Sequence, residues 1–335
     1  MIHNQLNKLQ EDYMLDIKIH GLANSRFMAF DEDGFGLSSI PVPSSEDLPM
    51  DLTVFLNTMN SMNFSNSVLV DCTASQDVAD TYERVLASKV AIVTPNKKAN
   101  SSSLENYKSL KKLSGQRNIK FLYETNVAAG LPVISTLQDL ILSGDKVIKI
   151  EGVLSGSMNY IFSELSKGTP FSEVVTQAKE KGFTEPDPRD DLSGMDVARK
   201  ILILGREAEQ DLHFSDVSIQ SMVPEDCQEI DSVEEFLEKL KGHDPHFKSL
   251  VDEAKEKEET LRFMAVLENG KAEVGLKSVD KKHPFYSLEG SDNMILFTTE
   301  RYHEFPMIIR GPGAGADVTA AGVFADIIRL GNYSR

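Results

Sequence analysis

Apolar residues recur along this chain with two different spacings, and each change of spacing marks an element. Ile2, Leu6 and Leu9 lie four and three apart, which predicts a helix over 2–13. No Ser, Thr or Asp cap precedes it, so Met1 is expected to fall inside the helical pattern. Residues 15–22 (Leu15-Asp16-Ile17-Lys18-Ile19-His20-Gly21-Leu22) alternate as a strand does. Helical spacing returns over 51–62, 78–87 and 104–113. Between these segments stand the short apolar runs Val68-Leu69-Val70, Val90-Ala91-Ile92-Val93 and Phe121-Leu122-Tyr123. Such alternation predicts a parallel sheet with helical crossovers, whose ligands sit at the carboxyl ends of the strands. Three of those ends are polar: Asp71-Cys72-Thr73, Thr94-Pro95-Asn96-Lys97-Lys98 and Glu124-Thr125-Asn126.

After Gly130 the pattern changes. A helix over 131–142 and a strand over 146–153 precede a long helical region reaching about residue 257. Asn269-Gly270 between two alternating runs signals a type I′ hairpin. Further strands over 294–299 and 306–310 complete a second, mixed sheet, and a helix over 318–328 follows Gly311-Pro312-Gly313-Ala314-Gly315. The expected fold is therefore α/β: a Rossmann-like parallel sheet lacking its first strand, plus an α+β domain with a mixed sheet. The expected domains are 1–130, 131–310 and a C-terminal helix, 311–335, that returns to the first.

Charge narrows the function classes. A net charge of −17 over 335 residues argues against nucleic acid or an anionic membrane as partner, because phosphate binding needs clustered Lys and Arg. Two cysteines, Cys72 and Cys227, are too few for a disulfide framework and suggest a reducing cytoplasm. Neither a transmembrane run nor the apolar core of a signal peptide is present. Cys72 reads as a small buried residue at a strand end rather than a nucleophile, and the seven histidines show no metal-ligand spacing. The charge-dense stretch 227–262 reads as solvated helix faces.

The chemistry concentrates in 182–200. Pro186 and Pro188 exclude helix through Asp190, so Glu185 and Asp187 are expected on an extended loop, with a helix starting at Ser193. Asp196 and Lys200 then share a face, four residues apart. A plain reading exists, in which Ser193 and Asp196 cap the helix and Asp196–Lys200 is a surface pair. Against it, five acids within a dozen residues repel one another unless a cationic ligand offsets them. A substrate ammonium would do so, and Lys200 among them could donate a proton. Lys97, at a parallel-sheet edge, suits a phosphate or carboxylate. The glycine-rich turn at 311–315 is an anion-friendly helix start.

Together these segments resemble homoserine dehydrogenase, and in particular the C-terminal portion of the bifunctional aspartokinase–homoserine dehydrogenases. The resemblance runs from Gly21-Leu22-Ala23-Asn24-Ser25 to Gly322-Val323-Phe324-Ala325-Asp326. It is most specific over 184–200 and over Val153-Leu154-Ser155-Gly156-Ser157-Met158-Asn159-Tyr160-Ile161-Phe162. It implies reversible, NAD(P)H-dependent reduction of L-aspartate 4-semialdehyde to L-homoserine, on the route to threonine, methionine and isoleucine. It further implies that Lys200 is the proton donor, Asp196 orients the substrate, and Glu185 holds the substrate's amino group. Asp190 and Ser157 join that pocket. Lys97 stands at the cofactor–substrate junction, Thr73 and Gly315 contact the cofactor, and Glu124, Val127, Ala129 and Leu131 hold a monovalent cation such as sodium. The family also implies a homodimer or higher homo-oligomer.

Asn24-Ser25-Arg26 follows a strand end where an NAD site would often carry an acid, so Arg26 suits a 2′-phosphate and NADP is favoured over NAD. The chain departs from the family pattern at Phe183, where many relatives have tyrosine. It departs more at its start, where a strand and G-x-G-x-x-G turn are expected upstream of Met1. On that reading NADPH binding should be weak. The competing reading is a non-catalytic remnant that dimerises through its second sheet.

Overall fold

A computed structural model describes residues 2–37 and 40–333, so Met1, expected within the first helix, lies outside the described residues. The chain divides into two units. One comprises Met1–Ala99, Asn106–Tyr123 and Ala320–Arg335, and the other Asn100–Glu105 and Glu124–Thr319.

In the first unit, helix α1 (Ile2–Tyr13) buries Leu9. The alternating run at 15–22 yields far less strand than its pattern predicts. Only β1 (Gly21–Ala23) forms, pairing antiparallel with β2 (Phe27–Phe30), which pairs in turn with β3 (Leu48–Pro49). The cause is local. Asn24 Oδ1 accepts from Arg26 N at 2.8 Å and Phe27 N at 2.9 Å, closing a tight Asx turn that folds the chain back. The carbonyls of Ile19 and His20 are taken by Phe35 N and Asp31 N, so no neighbouring strand can use them.

Helix α2 (Leu52–Met62) begins as expected at Asp51, whose carboxylate caps Thr53 N and Val54 N. Then come β4 (Val68–Val70), α3 (Gln76–Ala79), α4 (Tyr82–Ala87), β5 (Ala91–Val93), α5 (Leu104–Arg117) and β6 (Phe121–Leu122). The expected helix at 78–87 is split, because Thr81 turns its hydroxyl back onto Val78 O at 2.7 Å. Strands β4, β5 and β6 form the expected parallel sheet in that order.

The second unit contains α6 (Ile134–Leu142), β7 (Val147–Val153), α7 (Gly156–Lys167), α8 (Phe171–Glu180), α9 (Pro188–Leu192) and α10 (Met195–Glu207). It continues with β8 (Val217–Ile219), α11 (Val233–Leu240), α12 (Asp244–Glu256), β9 (Thr260–Glu268), β10 (Lys271–Val279), β11 (Asp292–Thr299), β12 (Met307–Pro312) and the start of α13 (Ala316–Tyr333). The sheet runs β12-β11-β7-β9-β10-β8, antiparallel except where β8 joins β10, and is therefore mixed. Asn269 and Gly270 both have positive φ (52° and 75°), as a type I′ turn demands, and they set the register Lys271↔Glu268. Short β8 carries too little periodicity to stand out within a helical region.

Helices α7 and α10 lie on β9, with Phe162 of α7 stacked on Phe263, while Phe171 of α8 stacks on Phe247 of α12. Each such fully buried side chain contributes roughly 1.5–3 kcal/mol. Helix α10 contributes Val197, Ile201, Leu202 and Leu204 to this core, so its polar residues have a fixed direction.

Candidate active site

The acidic segment folds differently from its sequence expectation. Pro188 does not keep the chain extended to Asp190, because proline is well suited to the first position of a helix, where its missing N–H would be unpaired anyway. Asp187 caps α9 by accepting from Arg189 N, and Pro188 opens it. Ser193 then closes α9 instead of capping α10. Gly194, with φ 75°, makes the reversal between them. A Cβ on Gly194 would stand 2.9 Å from the Phe263 ring, so packing as well as φ demands glycine.

Two acids that look alike in sequence are separated by this short helix. Pro188 and Leu192 are its buried side. At about 100° per residue Asp190 falls opposite that side and Asp191 beside it. Asp190 is exposed, its carbonyl accepting from Ser193 Oγ at 2.7 Å. Asp191 instead turns inward. Its Oδ1 accepts from Ser157 Oγ at 2.6 Å and its Oδ2 from Glu185 N at 2.8 Å. Burial pushes the Asp191 carboxyl above the usual range, and the charges of Asp196 and Asp190 push it further. The helical phase of Pro188-x-x-x-Leu192 was the sequence signal that distinguishes Asp191 from Asp190.

Asp187 is accounted for structurally. Arg189 grips both its oxygens, with Nη2–Oδ2 at 2.6 Å, and holds the carboxyl below its usual range. The same guanidinium donates to Ile230 O and lies 5.4 Å from the Phe236 ring centre. Of the five acids, Asp187 is therefore engaged within its own turn.

Lys200 is 7% exposed. Its Nζ donates to Leu154 O at 2.6 Å and pairs with Asp196 Oδ2 at 2.8 Å, so the expected i,i+4 contact is present. Two of its three protons are thus committed and one is available to a ligand. Leu154 precedes the start of α7, where Ser155 caps Met158 N and its Oγ lies 2.8 Å from Ser157 Oγ. Gly156 permits this turn, since a Cβ there would meet Ser291 O at 2.7 Å. Lys200, Asp196, Asp191 and Ser157 come together from α10, α9 and α7, alongside the backbone of Glu185, whose side chain is exposed. Phe183 packs edge-on against Tyr160, and the Tyr160 hydroxyl accepts from Lys181 Nζ at 2.6 Å. The arrangement offers a proton donor, a carboxyl pair and a hydroxyl in one partly buried place.

In the first unit, Thr73 and Lys97 stand at the carboxyl ends of β4 and β5, with Thr73 exposed and Lys97 half-buried. A buried network shapes both ends. Asp71 accepts from Tyr82 Oη at 2.5 Å, Asn96 Nδ2 at 3.0 Å and Thr73 N at 2.8 Å, and Thr94 Oγ1 donates to Asp71 O. Nothing in local spacing marks Tyr82 as a partner of Asp71. Cys72 is exposed, contrary to the expectation of burial, because Asp71 takes the inward position. Its thiol is raised by desolvation and by Asp71, which makes it a poor nucleophile. Arg26 is exposed in the β1–β2 turn, 5.8 Å from the Phe27 ring centre.

In the second unit, Gly315 adopts φ 121° and its carbonyl accepts from Thr319, opening α13. The expected cation loop is buried and strained. Ala128 and Ala129 have φ of 58° and 50°, at a cost of roughly 1–2 kcal/mol each. The carbonyls of Val127 and Ala129 accept no hydrogen bond among the described residues, while Leu131 O takes Val133 N. The Glu124 carboxylate accepts from Ile134 N and Ser135 N. Buried carbonyl oxygens beside a carboxylate are a donor set that fits a hard monovalent cation.

The family profile described as homoserine dehydrogenase matches residues 132–328, and the homoserine dehydrogenase NAD binding domain matches residues 2–124. The chain is 45% identical to a chloroplastic bifunctional aspartokinase/homoserine dehydrogenase of Daucus carota, over 99% of this chain and 36% of that protein. It therefore spans about a third of the length of such bifunctional relatives. A homoserine dehydrogenase of Schizosaccharomyces pombe is 46% identical, with 79% of this chain and 72% of that one covered. Among solved structures, a Candida auris protein of unknown function aligns with a TM-score of 0.88 at 38% identity, covering 98% of this chain and 94% of that one. Among the described residues no helix is long and apolar enough to cross a membrane.

Proposed function

The chain belongs to the homoserine dehydrogenase family, and we propose that it interconverts L-aspartate 4-semialdehyde and L-homoserine with a nicotinamide cofactor, in threonine, methionine and isoleucine biosynthesis. The observation that carries this reading is the buried Lys200 ammonium, held between Leu154 O and Asp196 and accompanied by the Asp191–Ser157 pair. NADPH, when bound, supplies the hydride that reduces the aldehyde carbon. Lys200 gives its remaining proton to the oxygen that becomes the alcohol. Asp196 orients Lys200 and the substrate from the exposed side of the ion pair. Asp191 and Glu185 hold the substrate's ammonium, with Asp191 taking the place expected of Asp190. A cationic ligand also explains why a raised carboxyl is retained beside two further acids.

Thr73 and Lys97 would receive the cofactor, and the exposed Arg26 guanidinium suits a 2′-phosphate, which favours NADP over NAD. The Val127 and Ala129 carbonyls with Leu131 and Glu124 would hold a monovalent cation. We assign the enzyme to a reducing cytoplasm, consistent with two free thiols, and to a homodimer or higher homo-oligomer. The test is Lys200→Ala. Turnover of aspartate semialdehyde should fall by at least about 100-fold, the usual contribution of a positioned acid, while NADPH affinity measured by calorimetry stays within about twofold. Near-normal turnover by the variant, or none by the parent chain with the cofactor bound, would remove this reading.

A further inference from the structure

The sequence spacing of the histidines offers no metal site, yet the fold brings one histidine to a cysteine and an acid far from the proposed chemistry in sequence. Asp226 and Cys227 lie in a 3-10 turn, Glu225–Cys227, and His243 ends a second, Lys241–His243. Helix α11 lies between these turns and returns the chain to its starting point. His243 Nε2 is 2.9 Å from Asp226 Oδ1, and Cys227 Sγ is 3.7 Å from the same oxygen. All three donor atoms lie within 4.8 Å of one another.

We propose that Asp226, Cys227 and His243 form a binding site for a borderline-soft divalent cation of the zinc type. Zinc bonds of about 2.0–2.3 Å in a tetrahedron set neighbouring donors about 3.3–3.6 Å apart. The Sγ–Oδ1 separation is close to that, and the Nε2–Oδ1 pair need open only slightly. One sulfur, one imidazole nitrogen and one carboxylate oxygen match zinc and disfavour magnesium or calcium, which prefer all-oxygen shells. Asp226 is exposed and His243 lines a cavity of about 260 Å³ with His246, Gln220, Ser221 and Met222, so water can complete the shell from the solvent side.

The charges balance. Binding replaces the Cys227 thiol proton, which leaves to solvent, so thiolate and carboxylate together offset the two positive charges. Lys239 already occupies the other face of Asp226, with Nζ 3.2 Å from Oδ2, leaving Oδ1 towards His243. A plain surface ion pair of Asp226 with Lys239 and His243 needs no thiol. Here Cys227 is fully buried with its sulfur turned to the same carboxylate oxygen. Ile230 and Phe236, which receive Arg189 of the acidic segment, fall between the ligands in the chain. A cation at this site therefore braces the segment that anchors α9.

Cobalt(II) tests the site, since cobalt bound to a thiolate gives a near-ultraviolet charge-transfer band. Titration of the metal-free full chain should give this band at one equivalent. The band should survive Cys72→Ser, disappear in Cys227→Ser and His243→Ala, and bleach when zinc is added. Zinc should raise the melting temperature of the parent chain and of Cys72→Ser but not of Cys227→Ser. Circular dichroism of the metal-free variants confirms that each is folded. No band in the parent chain, a band that persists in Cys227→Ser, or one that is lost only in Cys72→Ser would overturn the proposal.

Discussion

Gly313 separates β12 from α13, and the structure makes a sharp prediction for its replacement. A Cβ added there would lie 2.0 Å from both Cγ and Nδ2 of Asn293 and 2.5 Å from its Oδ1. Non-bonded carbons approach to about 3.5–4.0 Å, so Gly313→Ala lacks roughly 1.5 Å of room. Asn293 cannot readily yield it. The residue is fully buried on β11, and its backbone is registered against Gly311. The clash is at Cγ, near the root of the side chain, so relief needs a new rotamer or a shifted backbone. Overpacking of this kind costs about 1–3 kcal/mol, and the upper end is expected here.

For a body of roughly 200 residues, 3 kcal/mol corresponds to a melting shift of about 6–12 °C. The chain has no tryptophan, so far-ultraviolet circular dichroism is the suitable probe. Asn293→Ala removes the obstructing group, whose amide nitrogen and oxygen have no hydrogen-bond partner among the described residues. The double variant should therefore recover most of the loss, with a coupling of at least about 1 kcal/mol between the two sites. Additive effects, or a Gly313→Ala protein that melts with the parent, would refute the steric argument.

Other outcomes follow from the same geometry. Because burial raises the folded-state carboxyl of Asp191, its ionisation opposes folding: the penalty is absent below the ordinary carboxyl range and complete above the raised value. Asp191→Asn should therefore gain stability relative to the parent as pH rises from about 4 to 7, while substrate KM increases; an unchanged difference in melting temperature across that range would count against the assigned burial. Gly194→Ala should destabilise by about 1–3 kcal/mol and lower turnover, since a methyl group meets Phe263 at the start of the Lys200 helix. Thermal melts with steady-state kinetics check it, and a neutral variant would contradict the packing. Ala129→Gly should be neutral or stabilising by up to about 1 kcal/mol, against the usual penalty for this change, because φ of 50° is already adopted. Denaturant unfolding in sodium-free buffer measures it.

Much of the molecule was legible in its sequence for reasons that are local. Short apolar runs placed β4 and β5, and helical spacing placed α2 and α10, because these segments must bury apolar side chains. Asn269-Gly270 announced its hairpin because few other pairs tolerate two positive φ values. The Asp196–Lys200 contact followed from helical spacing alone. Family resemblance added roles to residues, and the matches across 2–124 and 132–328 bear out the family itself.

What local pattern left open was decided where distant segments meet. The alternating run at 15–22 could not become a full strand once Asn24 turned the chain and the segment at 31–35 took its carbonyls. Asp190 and Asp191 are chemically identical, and only the burial of Pro188 and Leu192 turns the second inward to Ser157. Asp71 finds Tyr82 and Asn96, and Cys227 finds His243, across intervals that no periodicity links. Sequence determines which backbone shapes and faces are affordable in free energy, since those terms act over a few residues. Partners for buried charge depend on how the faces pack, because desolvation and hydrogen bonding act through space.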